Sequence, residues 1–231
     1  MEKLEEHKNM ELDNQLNKQI IGEDIKNLGE NYKTADVDRL IRRYVKEKCD
    51  VSFLREDILK EQQYHRIYFY VSLKQIKDVN DRMEFINHNL LFSDWWHTDQ
   101  LIKYVDTLPF ETALTYAEKY VMDDDLFVRR WGYVMFISKL CRDKEHLKDI
   151  LALLHDDNEH YVIMAEAWLM AELAIFFPDE MLAWFQNENT LKYNINSKAI
   201  QKISDSYRIS NEYKKQFKEL REYLKNRAGN D

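Results

Sequence analysis

Trp95 and Asp99 stand four residues apart in the run Asp94-Trp95-Trp96-His97-Thr98-Asp99. On a helix that interval puts an indole and a carboxylate on one face, one turn above the other, where the two can flank a single small ligand. Arg130, opening the helical run Arg130-Trp131-Gly132-Tyr133-Val134-Met135, and Trp168, within Tyr161-Val162-Ile163-Met164-Ala165-Glu166-Ala167-Trp168, are further candidates, each in what reads as a consecutive helix pair. All four also have ordinary roles open to them, tryptophans at helical spacing being more often core than site. Trp168, among Ala165, Ala167 and Leu169, fits a core position; Asp99 fits a solvated or capping aspartate; Arg130 fits a partner for Asp123-Asp124-Asp125, acids that also suit a helix amino terminus. Arg129 is the neighbour most easily mistaken for Arg130. Trp96 and Trp131 are placed for burial, and Trp184 has a packing rationale only. His97 and Tyr161 fall close enough in the pattern to line the same groove, although no chemistry requires them. His65, His88, His146, His155 and His160 lack metal-ligand grouping.

The elements that must position these residues read as helices. With 231 residues, 45% of them hydrophobic, the chain can bury a substantial core. It has four glycines and two prolines, too few for a sheet with many tight turns, so an all-α fold is expected. The first twenty residues carry charged and amide side chains with sparse hydrophobics and are expected to form a weakly packed arm. A single domain is expected over residues 21–231. Apolar residues recur at helical spacing near Val37 to Lys48, Ser52 to Ile76 and Asp81 to Leu91. After Trp95 the pattern pairs a shorter with a longer helix: Phe110 to Val121 with Phe127 to Cys141, Leu147 to His155 with Tyr161 to Phe176, and Pro178 to Asn187 with Asn196 to Tyr207.

A shift of 34 residues carries Phe127 onto Tyr161, Trp131 onto Ala165 and Ala199, and Met135 onto Leu169 and Ile203, while Arg130 falls on Met164 and Lys198. Helix-pair repeats have periods in about this range, because each pair buries its apolar stripe on the next and the stack curves around a concave surface. The expected architecture is therefore an α-solenoid of antiparallel helix pairs with a concave groove.

Net charge is −8, which argues against a polyanion partner, but the charge is uneven. From Lys192 to Arg227 ten basic residues face four acidic ones, a segment of +6 that leaves −14 elsewhere. The asymmetry permits a nucleic-acid partner without requiring one. Cys49 and Cys141 are too few for a disulfide framework or zinc knuckle, and the start Met1-Glu2-Lys3-Leu4-Glu5-Glu6 lacks an apolar signal core, so a reducing cytoplasm is expected. The longest apolar run, Trp168 to Phe177, is interrupted by Glu172, and no membrane span is expected.

Four pieces in order, Trp95-x-x-x-Asp99, Phe127-Val128-Arg129-Arg130-Trp131-Gly132, the helix Tyr161 to Trp168, and Ala199-Ile200-Gln201-Lys202-Ile203-Ser204-Asp205-Ser206-Tyr207-Arg208-Ile209-Ser210, resemble the DNA alkylation repair proteins, the AlkD-like branch of HEAT-like-repeat DNA glycosylases. The resemblance covers about Asp57 to Leu224. It implies an enzyme that excises cationic alkylated bases, such as N3- or N7-methylpurines, from double-stranded DNA cradled in the concave groove of the solenoid, without a deep base-flipping pocket. Asp99 would place negative charge near the developing sugar cation and orient the attacking water. Trp95 and Trp168 would pack against the deoxyribose and the lesion's backbone. Arg130 would hold a backbone phosphate through its planar fork. Lys198, Lys202 and Arg208 are further candidates for phosphate contact. No metal or organic cofactor is implied, and a monomer is expected.

The chain departs from that pattern at Met164, where active relatives often carry a basic residue, and in its acidic balance. A second class of function therefore stands beside the enzyme: a non-catalytic HEAT-like module that binds DNA structures or a protein partner.

Overall fold

A computed structural model describes residues 2–228, with side chains described over residues 15–228. Among the described residues it is all-helical, with no strand. Contacts divide the chain into two compact units, Met1–Leu91 and Phe92–Asp231, so the single domain expected over residues 21–231 carries a division after Leu91.

The first unit holds α1 (Glu2–Leu28), α2 (Thr34–Glu47), α3 (Gln62–Gln75) and α4 (Val79–Asn87). The stretch expected to be an arm is helical in its backbone as part of α1, and the side chains of residues 2–14 lie outside those described. Ile21 and Ile25 are buried while Leu16 and Ile20 are exposed, so the packed part of α1 is its carboxyl half. Ser52 to Ile76, expected as one helical segment, is broken: a 3-10 turn over Ser52–Glu56 precedes α3. Asp50 starts that turn by accepting from the Ser52 N–H at 2.8 Å, and the tighter winding buries Val51, Leu54 and Ile58 together.

The second unit holds α5 (Trp95–Asp99), α6 (Ile102–Val105), α7 (Phe110–Tyr120), α8 (Leu126–Val134), α9 (Leu147–Ala152), α10 (His160–Phe176), α11 (Pro178–Asn187), α12 (Tyr193–Asp205) and α13 (Asn211–Ala228). Helix α10 lies between α8 and α12 and packs on both. It is apolar on nearly every side, as a helix enclosed by neighbours must be. The 34-residue shift matches burial at two of its positions: Trp131, Ala165 and Ala199, and Met135, Leu169 and Ile203, are all fully buried, whereas Phe127 is half-buried and Tyr161 exposed, and Arg130 is buried while Lys198 is exposed. α8 ends at Val134 rather than reaching Cys141, and a short 3-10 turn lays Leu140 and Cys141 against α10. Gly132 is where α8 meets the end of α7; a Cβ there would lie 2.8 Å from Val121 Cγ1 and 3.1 Å from its backbone nitrogen.

Candidate functional site

Asp94 begins the local structure by accepting from the Trp95 N–H at 2.7 Å, which starts the five-residue helix α5. One turn later the chain presents Asp99 on the same side, as the spacing predicts. α5 packs on α8, whose start is fixed by Asp125 accepting from the Phe127 and Val128 N–H groups. This contact brings Arg130 to Asp99.

The ion pair they form is two-pronged. Arg130 Nη2 lies 2.8 Å from Asp99 Oδ1 and 3.0 Å from Oδ2, and Nε lies 3.1 Å from Oδ1. Nε is also 3.2 Å from the Thr98 hydroxyl, and Nη1 donates to the Tyr161 carbonyl at 2.8 Å, which anchors the guanidinium to the first turn of α10. The Arg130 side chain is 5% exposed and that of Asp99 18%. Geometry of this kind fixes a carboxylate in one orientation, because a planar fork leaves it little rotational freedom. Thr98, fully buried, adds to the restraint: its hydroxyl lies 2.8 Å from the Trp95 carbonyl and 3.1 Å from Asp99 Oδ1.

Beside the pair opens a cleft of about 350 Å3 lined by Trp95, Asp99, Arg130, His160, Tyr161, Met164, Trp168 and Lys202. Five of the seven residues singled out from sequence thus share one cavity. Lys198 and Arg208 do not line it. Lys198 is exposed on α12, and Arg208 donates through Nη2 to both oxygens of Glu172, at 2.8 Å to Oε1. Arg129 takes the other direction from its neighbour: Nε meets Asp157 at 2.8 Å and Nη1 meets the carbonyls of Asp123 and Asp124. Asp123-Asp124-Asp125 therefore serve Arg129 and the α8 cap, and Arg130 is the cleft arginine.

Other aromatic and histidine expectations divide in the same way. Trp131 is fully buried, and Trp184 packs on Phe185 at 5.2 Å between ring centroids. Tyr161 reaches the cleft, whereas His97 is buried with Nδ1 facing the Ser93 N–H at 3.0 Å. Burial pushes the His97 imidazole down to about 4. Two contributors escaped sequence reasoning. His160 carries no signal beyond its place beside Tyr161; Thr98 carries one, a hydroxyl adjacent to the candidate carboxylate and able to hold it.

Electrostatically the cleft contains one carboxylate and two nearby cations. Burial, then the charge of Arg130, lowers the Lys202 ammonium from the ordinary lysine range, against the opposing pull of Asp99. Trp95, Met164 and Trp168 supply flat or polarisable apolar surface. Among the described residues no group of three or more His, Cys, Asp or Glu side chains is arranged to hold a metal ion, and no helix is long and apolar enough to cross a membrane.

A layered helical protein with an arginine-clamped carboxylate facing aromatic walls is the class these features define. The chain belongs to the DNA alkylation repair enzyme family, whose sequence model matches residues 1–224. That match includes the residues before Asp57, where the motif resemblance did not reach. No curated protein matches the chain. Membership places the protein in DNA repair and implies interaction with DNA.

Proposed function

We propose that the protein is a DNA glycosylase that hydrolyses the N-glycosidic bond of cationic alkylated purines, of the N3- or N7-methyl type, in duplex DNA. The observation that supports this most directly is Asp99, oriented by Arg130 and open to a cleft that Trp95 and Trp168 help to line. A cationic purine is already a good leaving group, so catalysis needs chiefly to stabilise an oxocarbenium-like sugar and to position water. Asp99 supplies the negative charge and accepts a proton from the water, and the two indoles pack against the sugar and backbone, where attraction to a desolvated cation contributes on the order of 1 kcal/mol or more. Arg130 acts first as the residue that aims Asp99, since most of its fork is spent there rather than on a phosphate. Lys202, within the cleft, and Lys198, exposed on the same helix, are read as phosphate contacts; Arg208 joins them by exchanging Glu172 for DNA. The layer of α8, α10 and α12 is read as the inner layer of a HEAT-like solenoid whose concave groove carries the duplex, and the working form as a cytoplasmic monomer.

The direct test incubates the purified protein with duplex DNA carrying N7-methylguanine and follows free base against spontaneous loss, with Asp99→Asn alongside. Release above background that disappears in the variant supports the assignment; full release by Asp99→Asn removes Asp99 from the chemistry.

A second reading has its own support. The charges of Arg130 and Arg208 are matched by Asp99 and Glu172, and the chain is acidic overall, which suits a non-catalytic module for DNA structures or a protein partner. That reading expects binding without turnover. A steep fall of DNA affinity with salt then distinguishes a nucleic-acid partner from an apolar protein one.

A further inference from the structure

We propose a second reaction in the same cleft: the Lys202 amine condenses with the aldehyde of an abasic sugar and cleaves the DNA strand on its 3′ side. The proposal rests on the glycosylase reading for the source of the abasic sugar, though its test does not. Removal of a base leaves C1′ beside Asp99, and C1′ is an aldehyde in the ring-opened sugar. Lys202 is the amine that shares a cleft with that carboxylate.

Its circumstances differ from those of the other cations nearby. Arg130 is held by Asp99 and Arg208 by Glu172, and Lys192 lies 3.9 Å from Asp156. Among the described residues Lys202 has no ion pair and no side-chain hydrogen bond, so no contact must be broken before it attacks. The amine is half-buried, and burial and the guanidinium of Arg130 favour its neutral form over the opposing pull of Asp99 and Asp205. Trp95, Met164 and Trp168 place apolar surface beside the amine.

The steps balance without an oxidant or reductant. The neutral Nζ lone pair adds to C1′, and the resulting carbinolamine, its hydroxyl protonated from solvent, loses water to give a protonated imine. Asp99 removes a proton from C2′. The C2′–H electron pair forms a C2′–C3′ double bond, and the C3′–O bond breaks with its pair leaving on the 3′ phosphate. Hydrolysis of the conjugated imine returns the Lys202 amine and leaves an unsaturated aldehyde on the upstream fragment and a 5′ phosphate on the downstream one. Asp99 thus serves both reactions from one orientation, first facing the cation and then accepting the proton.

The experiment supplies a duplex with a preformed abasic site, adds borohydride to reduce any imine, and maps the covalent adduct by peptide mass spectrometry on the wild-type protein. An adduct on the peptide containing Lys202, lost in Lys202→Arg when both proteins are compared at DNA concentrations that saturate each, is the expected result. Asp99→Asn should still form the adduct but lose strand cleavage. No adduct with DNA bound, or an adduct confined to other lysines, overturns the proposal. Because the abasic site is supplied, an adduct without methylpurine release would sink only the glycosylase reading, and methylpurine release without an adduct would sink only this one.

Discussion

Arg129 and Arg130 are neighbours on α8, and each ends on an aspartate in largely buried surroundings. Their carboxylates nevertheless keep different company. Asp157 accepts from Arg129 at 2.8 Å and from the Glu159 N–H at 2.7 Å, so its oxygens are used in holding the loop that leads into α10. Although burial raises its pKa, the Glu159 N–H and Arg129 together hold Asp157 below the usual carboxylate range. Behind it Glu166, fully buried, accepts from the His155 N–H at 3.2 Å, and the Tyr133 hydroxyl lies 2.8 Å from His155 Nδ1. That side of α8 is closed. Asp99 also meets an arginine, but its free edge borders an open cleft rather than backbone donors. A buried ion pair is weak support for function by itself; unspent acceptor capacity beside an apolar void is what separates the two.

The comparison breaks most visibly by removing each aspartate in turn. Asp157→Ala should cost up to about 3 kcal/mol of stability, because the largely buried Arg129 loses its only carboxylate and keeps just the Asp123 and Asp124 carbonyls, while base release per folded molecule stays unchanged. Thermal unfolding and active-site-normalised release would report the two quantities. Asp99→Asn should behave the other way: release falls by about 10²–10³-fold, the loss typical of removing a transition-state electrostatic partner. Stability should fall less, since the amide oxygen still accepts from Arg130. Equal stability losses with unequal release would merge the pairs structurally but leave the catalytic contrast; equal release would erase it.

Part of this contrast is legible in the amino-acid sequence. The interval Trp95 to Asp99 follows from helical geometry, and the 34-residue register holds at its apolar positions, Trp131, Ala165 and Ala199 and Met135, Leu169 and Ile203, because periodicity reports which face of a helix is buried. Helix ends are less legible. α8 stops at Val134 within a run where every residue from Trp131 to Ile137 is buried, and such a run has no polar side to mark where winding changes. Arg129 and Arg130 are adjacent in sequence, so only tertiary contacts decide which reaches Asp99. Lys198 and Arg208 read as phosphate contacts from the local excess of basic residues. Composition cannot register that Glu172, 36 residues earlier, has already taken Arg208.

A smaller effect separates the two regions by pH. Burial pushes Glu166 up to about 8 from 4.5, so its folded form holds the proton more tightly than the unfolded chain does. The associated stability is present below pH 4.5 and is lost as pH rises through about 8. His97, two residues before Asp99 on α5, has the opposite sign: burial lowers it from 6.5 to about 4. Its contribution is present above pH 6.5 and is lost as pH falls toward 4. Thermal midpoints measured across this range should therefore decline toward both ends. Glu166→Gln should flatten the alkaline decline and leave the acid one, and an unchanged alkaline slope would place the titrating group elsewhere.

The smallest expected effect lies at the rim of the cleft. Trp95 is 46% exposed, so its removal takes away little core packing, in contrast to the fully buried Trp131 on α8. Trp95→Ala should shift stability by no more than about 0.5 kcal/mol, as surface substitutions do. Its indole face still borders the space where a cationic base or sugar would sit, and at a partly exposed site that attraction is worth about 0.5–1 kcal/mol. Binding of a duplex carrying N7-methylguanine should weaken by about two- to five-fold relative to wild type, and that of an unmodified duplex, which presents the same sugar and backbone but no cationic base, should weaken less. The difference between the two duplexes is the informative quantity. If both weaken equally, Trp95 contributes general surface to DNA; if the methylated duplex weakens more, the exposed indole reads positive charge, which the enclosed side of α8 has no means to do.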